Sequence, residues 1–193
     1  ILIEPIGSPG AGRLADVIRP WSDHLHLAPS GIVLSALEQK LTADRAEQRT
    51  ERLAAALATI ADRYDWGLID CPPNLDIHTT NALCAADGVV IPMEADQFSV
   101  DGLQQLLELI RQMQQVNRRL VVEGILISLY NSRRAIEQTI AKTLRVSAGV
   151  PVLDVHIKNS TRYRESITAR QPITHYKPGS DQAAAFETLA RTL

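Results

Sequence analysis

Residues 64–92, YDWGLIDCPPNLDIHTTNALCAADGVVIP, constrain the fold more than any other stretch of this chain. A short apolar run, Trp66 to Ile69, ends in Asp70 and is followed at once by Cys71, Pro72 and Pro73. Two successive prolines fix φ and keep the residue before them extended, so the chain leaves this run stiff and straight. The pattern predicts a strand over 66–69, a helix near 78–86 and a second strand over 88–91. Val89, Val90 and Ile91 make that second strand apolar enough for burial on both faces. An aspartate at a strand tip can hold a divalent cation through water; the ordinary alternative is a cap on the next turn or helix.

The same alternation continues along the chain. An irregular opening through Gly12 leads to a short helix over 14–18 stopped by Pro20, and then a strand over 24–28. Leu34 to Tyr64 reads as helical, with Leu53, Leu57 and Ile60 at i, i+4 and i+7. A second long helix is predicted over 99–116, with Leu103, Leu106, Leu107 and Ile110 on one side. A strand over 121–129, a helix over 133–146, a strand over 152–157 and helices over 161–169 and 181–192 follow. Alternating apolar strands and amphipathic helices predict an α/β fold: a doubly wound, mostly parallel sheet with helices on both faces. The 193 residues suit one domain, 1–193.

Net charge is −2, but it is unevenly spread. Residues 1–128 hold 10 Lys/Arg against 17 Asp/Glu, a net −7, and residues 129–193 hold 10 against 5, a net +5. A basic final third on an acidic body can bind a polyanion locally; a chance asymmetry of solvated faces is the plain alternative. No run of 18 apolar residues is present and no charged-then-apolar leader opens the chain, so a cytoplasmic protein is expected. Cys71 and Cys84 lack metal spacing and read as free thiols, Cys71 as a small buried residue. His24 and His26 share a strand face without a third ligand, and the remaining histidines are scattered, so no metal site is expected from them. The closing segment carries Ala185, Phe186, Leu189 and Leu193 as an apolar stripe with Arg191 its only cation. That is a docking helix and not a membrane anchor.

Several segments together resemble the ParA (Soj-like) family of partition ATPases: HLHLAPS, YDWGLIDCPP, NALCAADGVVIPMEADQFSVDGLQQLL, VEGILISLYNSRR and ITARQPITHYKPGS. They stand in the family's order and spacing and cover nearly the whole chain. The resemblance implies a P-loop NTPase-like fold, ATP and Mg²⁺ as cofactors and a homodimer formed on ATP. It also implies non-specific DNA binding on the nucleoid, stimulation by a ParB-type centromere-binding partner, and no membrane association. Asp70 would then be the catalytic carboxylate that holds Mg²⁺ through water, within the loop of Pro72 and Pro73 that borders the nucleotide. Asn131 would meet the adenine, since a carboxamide both donates to and accepts from a purine edge; a turn asparagine is the ordinary alternative.

Arg133 and Arg162 match two arginines of the family's DNA-binding face, with Arg134 and Arg164 as neighbours and Lys142, Arg145 and Arg170 nearby in sequence. Phosphate contact needs several exposed permanent cations on one face. The family's Pro-Arg-Asn run, which helps enclose the adenine, is replaced here by Lys158-Asn159-Ser160. The family's Lys-Gly-Gly-x-Gly-Lys-Thr phosphate loop does not occur in the sequence; Gly7 to Gly12 is glycine-rich but has no lysine and no preceding strand. In the family that segment adds interior strands to the sheet, so the chain is expected to be cut from a working ATPase. The alternatives are a non-catalytic DNA-binding or scaffold relative, and a ParA-like ATPase that positions another cargo on the nucleoid.

Overall fold

The computed structural model describes residues 14–29 and 50–193, with the side chains of 97–101 excepted. The elements in chain order are α1 (Leu14–Val17), β1 (Arg19–Ser22), β2 (Leu25–Leu27), α2 (Arg52–Ala58), a 3₁₀ turn (Ala61–Arg63) and α3 (Ile77–Ala85). They continue with β3 (Gly88–Glu94), α4 (Gln97–Val116), β4 (Val121–Tyr130), α5 (Ala135–Ser147) and β5 (Val152–Lys158). The chain closes with α6 (Thr161–Thr168), α7 (Ile173–Tyr176) and α8 (Asp181–Thr192). The fold is mixed α/β. Two compact units divide it: residues 1–87 with 108–120, and residues 88–107 with 121–193. The expected irregular opening through Gly12, and residues 34–49 of the expected helix over 34–64, lie outside the described residues.

The second unit is built on a three-stranded parallel sheet in the order β3-β4-β5. Parallel neighbours need a long crossover, and helices supply it between each successive pair of strands. β4 is central, and its Ile125 and Ile127 are 0% exposed. This is the burial that an apolar strand covered on both faces requires. Leu126, Leu153 and Ile157 form a buried cluster against which Val90, Val155, Tyr163, Ala185 and Leu189 pack. Ala185 and Leu189 of the stripe on α8 thus dock against β5, whereas Phe186 and Leu193 are exposed. Gly124, at φ +157°, is the close-approach position: a Cβ there would lie 2.7 Å from Leu153 Cδ2. Any side chain would push the β5 core residue away.

The first unit is held by helix ends that satisfy one another. Asp76 caps α3, accepting from the amides of His78 (2.9 Å) and Thr79 (3.2 Å). Buried Asn81 donates to the Ile77 carbonyl (2.9 Å) and accepts from the Leu53 amide (3.2 Å), which ties the start of α2 to α3. Asn117 is buried and donates to the carbonyls of Leu83 (3.0 Å) and Ala86 (2.6 Å) at the exit of α3. Its own oxygen accepts from the Arg119 amide at 3.2 Å. Carbonyls at a helix C-terminus have no partner within the helix, so this one side chain answers a standing need.

The strand expected over 66–69 is not formed. The segment has no regular secondary structure and no ladder partner among the described residues, and Trp66 and Leu68 are 72% and 91% exposed. An apolar run supplies a strand's side chains, but only a neighbouring backbone supplies its hydrogen bonds. The expected strand over 24–28 is shorter and pairs antiparallel with β1, which contains Pro20; an edge strand tolerates proline because one side needs no donor. Among the described residues no helix is long and apolar enough to cross a membrane.

Asn117→Ala removes two donated bonds and leaves the buried Leu83 carbonyl and the half-buried Ala86 carbonyl without that partner. It should lower unfolding free energy by about 2–3 kcal/mol. The urea midpoint should fall with the slope unchanged, and an unshifted midpoint would refute the tie assigned to Asn117.

Candidate functional site

In open parallel sheets ligands gather beyond the carboxyl ends of the strands, where loops leave the sheet. In the second unit those ends are Tyr130 of β4 and Lys158 of β5, which lie side by side. The amide of Asn159 donates to the Tyr130 carbonyl at 3.2 Å, extending the pairing one step past the strand. Leu129, just before, adopts φ +52°, a left-handed conformation rare for leucine. The chain then turns through Asn131-Ser132-Arg133-Arg134 into α5. Asn131 organises that turn: its side-chain oxygen accepts from the Arg133 amide (3.0 Å) and its carbonyl from the Arg134 amide (3.0 Å). This is an Asx turn, and it leaves the carboxamide NH₂ as the group with hydrogen bonds to give.

Arg134 is the N-cap residue of α5 but makes no side-chain cap. Instead buried Glu137, in the first turn, reaches back: one carboxylate oxygen accepts from the Asn131 amide at 2.6 Å, and the other pairs with Arg134 Nη1 at 3.1 Å. The helix therefore starts two residues later than the sequence predicts, and Arg133 and Arg134 sit in the turn. Both are exposed.

Beyond β5, Lys158 and Asn159 are exposed, and the Ser160 hydroxyl caps α6 by accepting from the Arg162 amide (3.3 Å). Arg162 Nη1 donates to Gln182 Oε1 at 2.9 Å, and Arg164 is exposed. Arg145 is already paired with Asp154 (2.9 Å), and Arg170 occupies a left-handed residue where α6 ends. A cavity of about 130 Å³ lies here, lined by His156, Lys158, Tyr163, Asp181, Gln182 and Ala185. The His156 ring packs at 4.9 Å on Tyr130, and its buried Nδ1 has no hydrogen-bond partner among the described residues. Burial, then the Arg145 charge, push its pKa below the ordinary value, and Asp154 opposes the shift only in part.

The structure thus brings Asn131, Arg133 and Arg134 into one turn and sets Asn159 beside its start. Asp70, Pro72 and Pro73 belong to the first unit, on an exposed segment that leads to the Asp76 cap. The Asp70 carboxylate joins no ion pair among the described residues. Cys71 is exposed, contrary to the expected burial. Local shielding near the Ile69 carbonyl, then the charges of Asp70 and Asp76, push its thiol above the usual range, so it is no activated nucleophile. Among the described residues no three His, Cys, Asp or Glu side chains are grouped to hold a metal. Glu137 and Gln182 are the site residues that sequence reading missed. An acid at the third position of a helix preceded by Asn-Ser-Arg-Arg was the available signal for Glu137.

A family model described as an AAA domain matches residues 11–122. The chromosome-partitioning ATPase Soj of Treponema pallidum is 32% identical over 95% of this chain and 73% of its own length. The chain belongs to the ParA/Soj family of P-loop ATPases. An uncharacterised Mycobacterium tuberculosis protein of similar sequence is 37% identical over 88% of this ParA/Soj-type chain and 53% of its own length. The chain therefore spans about half the length of that relative. Among solved structures, cobyrinic acid a,c-diamide synthase from Mycobacterium smegmatis, with a bound ATP analogue and magnesium, superposes with a TM-score of 0.72. The two are 28% identical, and the match covers 92% of this chain and 77% of that one.

His156 gives this ParA/Soj-type fold a testable acid sensitivity. Its folded pKa lies below the ordinary 6.5, so the unfolded chain takes up the proton first. The stability it contributes is full above that value and lost as pH falls. The urea midpoint should drop between about pH 7.5 and about pH 5.5, and drop less in His156→Gln, which cannot titrate. Equal losses in both proteins would exclude His156 as a source.

Proposed function

We propose that this chain acts in a DNA-partition ATPase, with residues 1–193 forming one P-loop ATPase-type domain. Bound ATP and Mg²⁺ drive a homodimer, and the dimer binds DNA without sequence preference on the cytoplasmic nucleoid. A ParB-type centromere-binding partner stimulates the hydrolysis that releases it. One observation supports the reading: at the carboxyl ends of β4 and β5, Asn131 and the exposed Arg133 and Arg134 share a single turn. Such adjacency would let a nucleotide contact and a polyanion contact be coupled within one turn.

The side chains fit the cofactors. Asp70 offers a hard, exposed oxygen donor of the kind Mg²⁺ prefers, in a segment stiffened by Pro72 and Pro73. Its role is to orient a water on the metal, and the metal supplies charge neutralisation at the phosphates. Asn131, its oxygen engaged by the Arg133 amide, donates its NH₂ to a ring nitrogen of the base. Lys158 and Asn159, beyond β5, border the same ligand. Arg133, Arg134, Arg162 and Arg164 meet backbone phosphates, which gives affinity without base readout.

Two measurements test this in the full-length protein. Arg133→Ala and Arg162→Ala should each weaken binding to a random-sequence duplex in the presence of ATP, and each should reduce the salt slope by about one. Parent-like binding in both would remove the arginines from the DNA surface. DNA affinity indifferent to ATP would favour a non-catalytic scaffold instead. Asp70→Asn should lower Mg²⁺-dependent ATP hydrolysis by about 10–100-fold, the usual effect of losing a group that acts on a metal through water.

A further inference from the structure

We infer that Glu137 is the positioning residue that couples nucleotide contact at Asn131 to the arginines of the same turn. The inference rests on the roles proposed above for Asn131, Arg133 and Arg134, and concerns how that site is regulated.

A glutamate at the third position of a helix ordinarily folds back onto the N-cap amide. Glu137 does not; it passes the N-cap residue and takes the amide of Asn131, three residues further back. Its second oxygen holds the Arg134 guanidinium, so one carboxylate grips both ends of the turn. The turn has further ties of its own. The Arg133 amide is held by the Asn131 side chain, and Gln138 donates to the Ser132 carbonyl. No residue from Asn131 to Arg134 can shift without disturbing a bond that ends on another of them or on the first turn of α5.

Two physical points make the grip effective. Glu137 is buried, so its bond to the Asn131 amide is little screened, while the Arg134 end of its ion pair faces solvent. Arg134 and Arg133 are exposed, so what the carboxylate fixes is the direction in which charge faces solvent. A ligand that draws on the Asn131 carboxamide pulls on the oxygen that also receives the Arg133 amide. With Glu137 in place the pull is passed to the arginines as a rigid turn; without it the turn yields locally and the arginines are left where they were. Coupling of this kind is a difference in affinity between liganded and unliganded states, and it is read as a ratio.

The experiment uses the full-length protein, ATP with Mg²⁺, and a random-sequence duplex, and compares DNA affinity with and without nucleotide. Glu137→Gln keeps the shape and can still accept from the Asn131 amide, but loses the ion pair. It should cut the ATP-induced gain in DNA affinity by about fivefold or more, the lower end of ordinary coupling factors, while nucleotide-free affinity holds or rises as Arg134 loses its counter-charge. Arg134→Gln releases the same carboxylate from the exposed side and serves if the first variant is poorly folded. It should lower affinity in both states and also shrink their ratio. A parent-like ratio in either folded variant overturns the role of Glu137 alone. A parent whose DNA affinity ignores ATP overturns the proposed function and this coupling with it.

Discussion

The burial of β4 governs the rest of the second unit. Its backbone is bonded on both edges, to β3 and β5, and Gly124 through Ile127 are sealed from water. Such a strand cannot present chemistry along its length. It can only carry a residue to its end, and the first positions where the chain regains solvent are those that lead into Asn131. The loss of a side chain at Gly124 and the packing of Leu126 against Leu153 and Ile157 are therefore what fix the site in space.

Much of this was legible in the sequence. The apolar runs at 88–91, 121–129 and 152–157 became β3, β4 and β5, because residues buried on both faces leave little choice of partner. The run at 66–69 was just as apolar and failed, since hydrophobicity does not say whether a second backbone is available to pair with. β1 was missed because Pro20 reads as a stop, although an edge position forgives it, and four-residue α7 is too short for any period to register. In the site, residue types were readable and their bonds were not. Asn131 looks equally like a turn former and a base contact, and in the structure it does form the turn. Glu137 looks like one more acid on a solvated helix until its burial is seen.

The basic final third is less uniform than its count implies. Arg145 faces Asp154, and Arg134 shares its charge with Glu137, so each contributes less to the field than a free cation. Arg162 is held by the neutral amide of Gln182, which fixes its direction and leaves its charge whole. Arg133 and Arg164 join no ion pair among the described residues. A surface of this kind combines cations that are aimed with cations that are merely present, and only the first sort reward a polyanion that arrives in one orientation.

Leu129 adds a mechanical element. A leucine at φ +52° is disfavoured by about 1–2 kcal/mol. The strain is sustained because buried β4 holds one side and the Asn159-to-Tyr130 bond the other. The turn that follows is thus anchored at a residue held in its conformation by its neighbours and not by its own backbone preference.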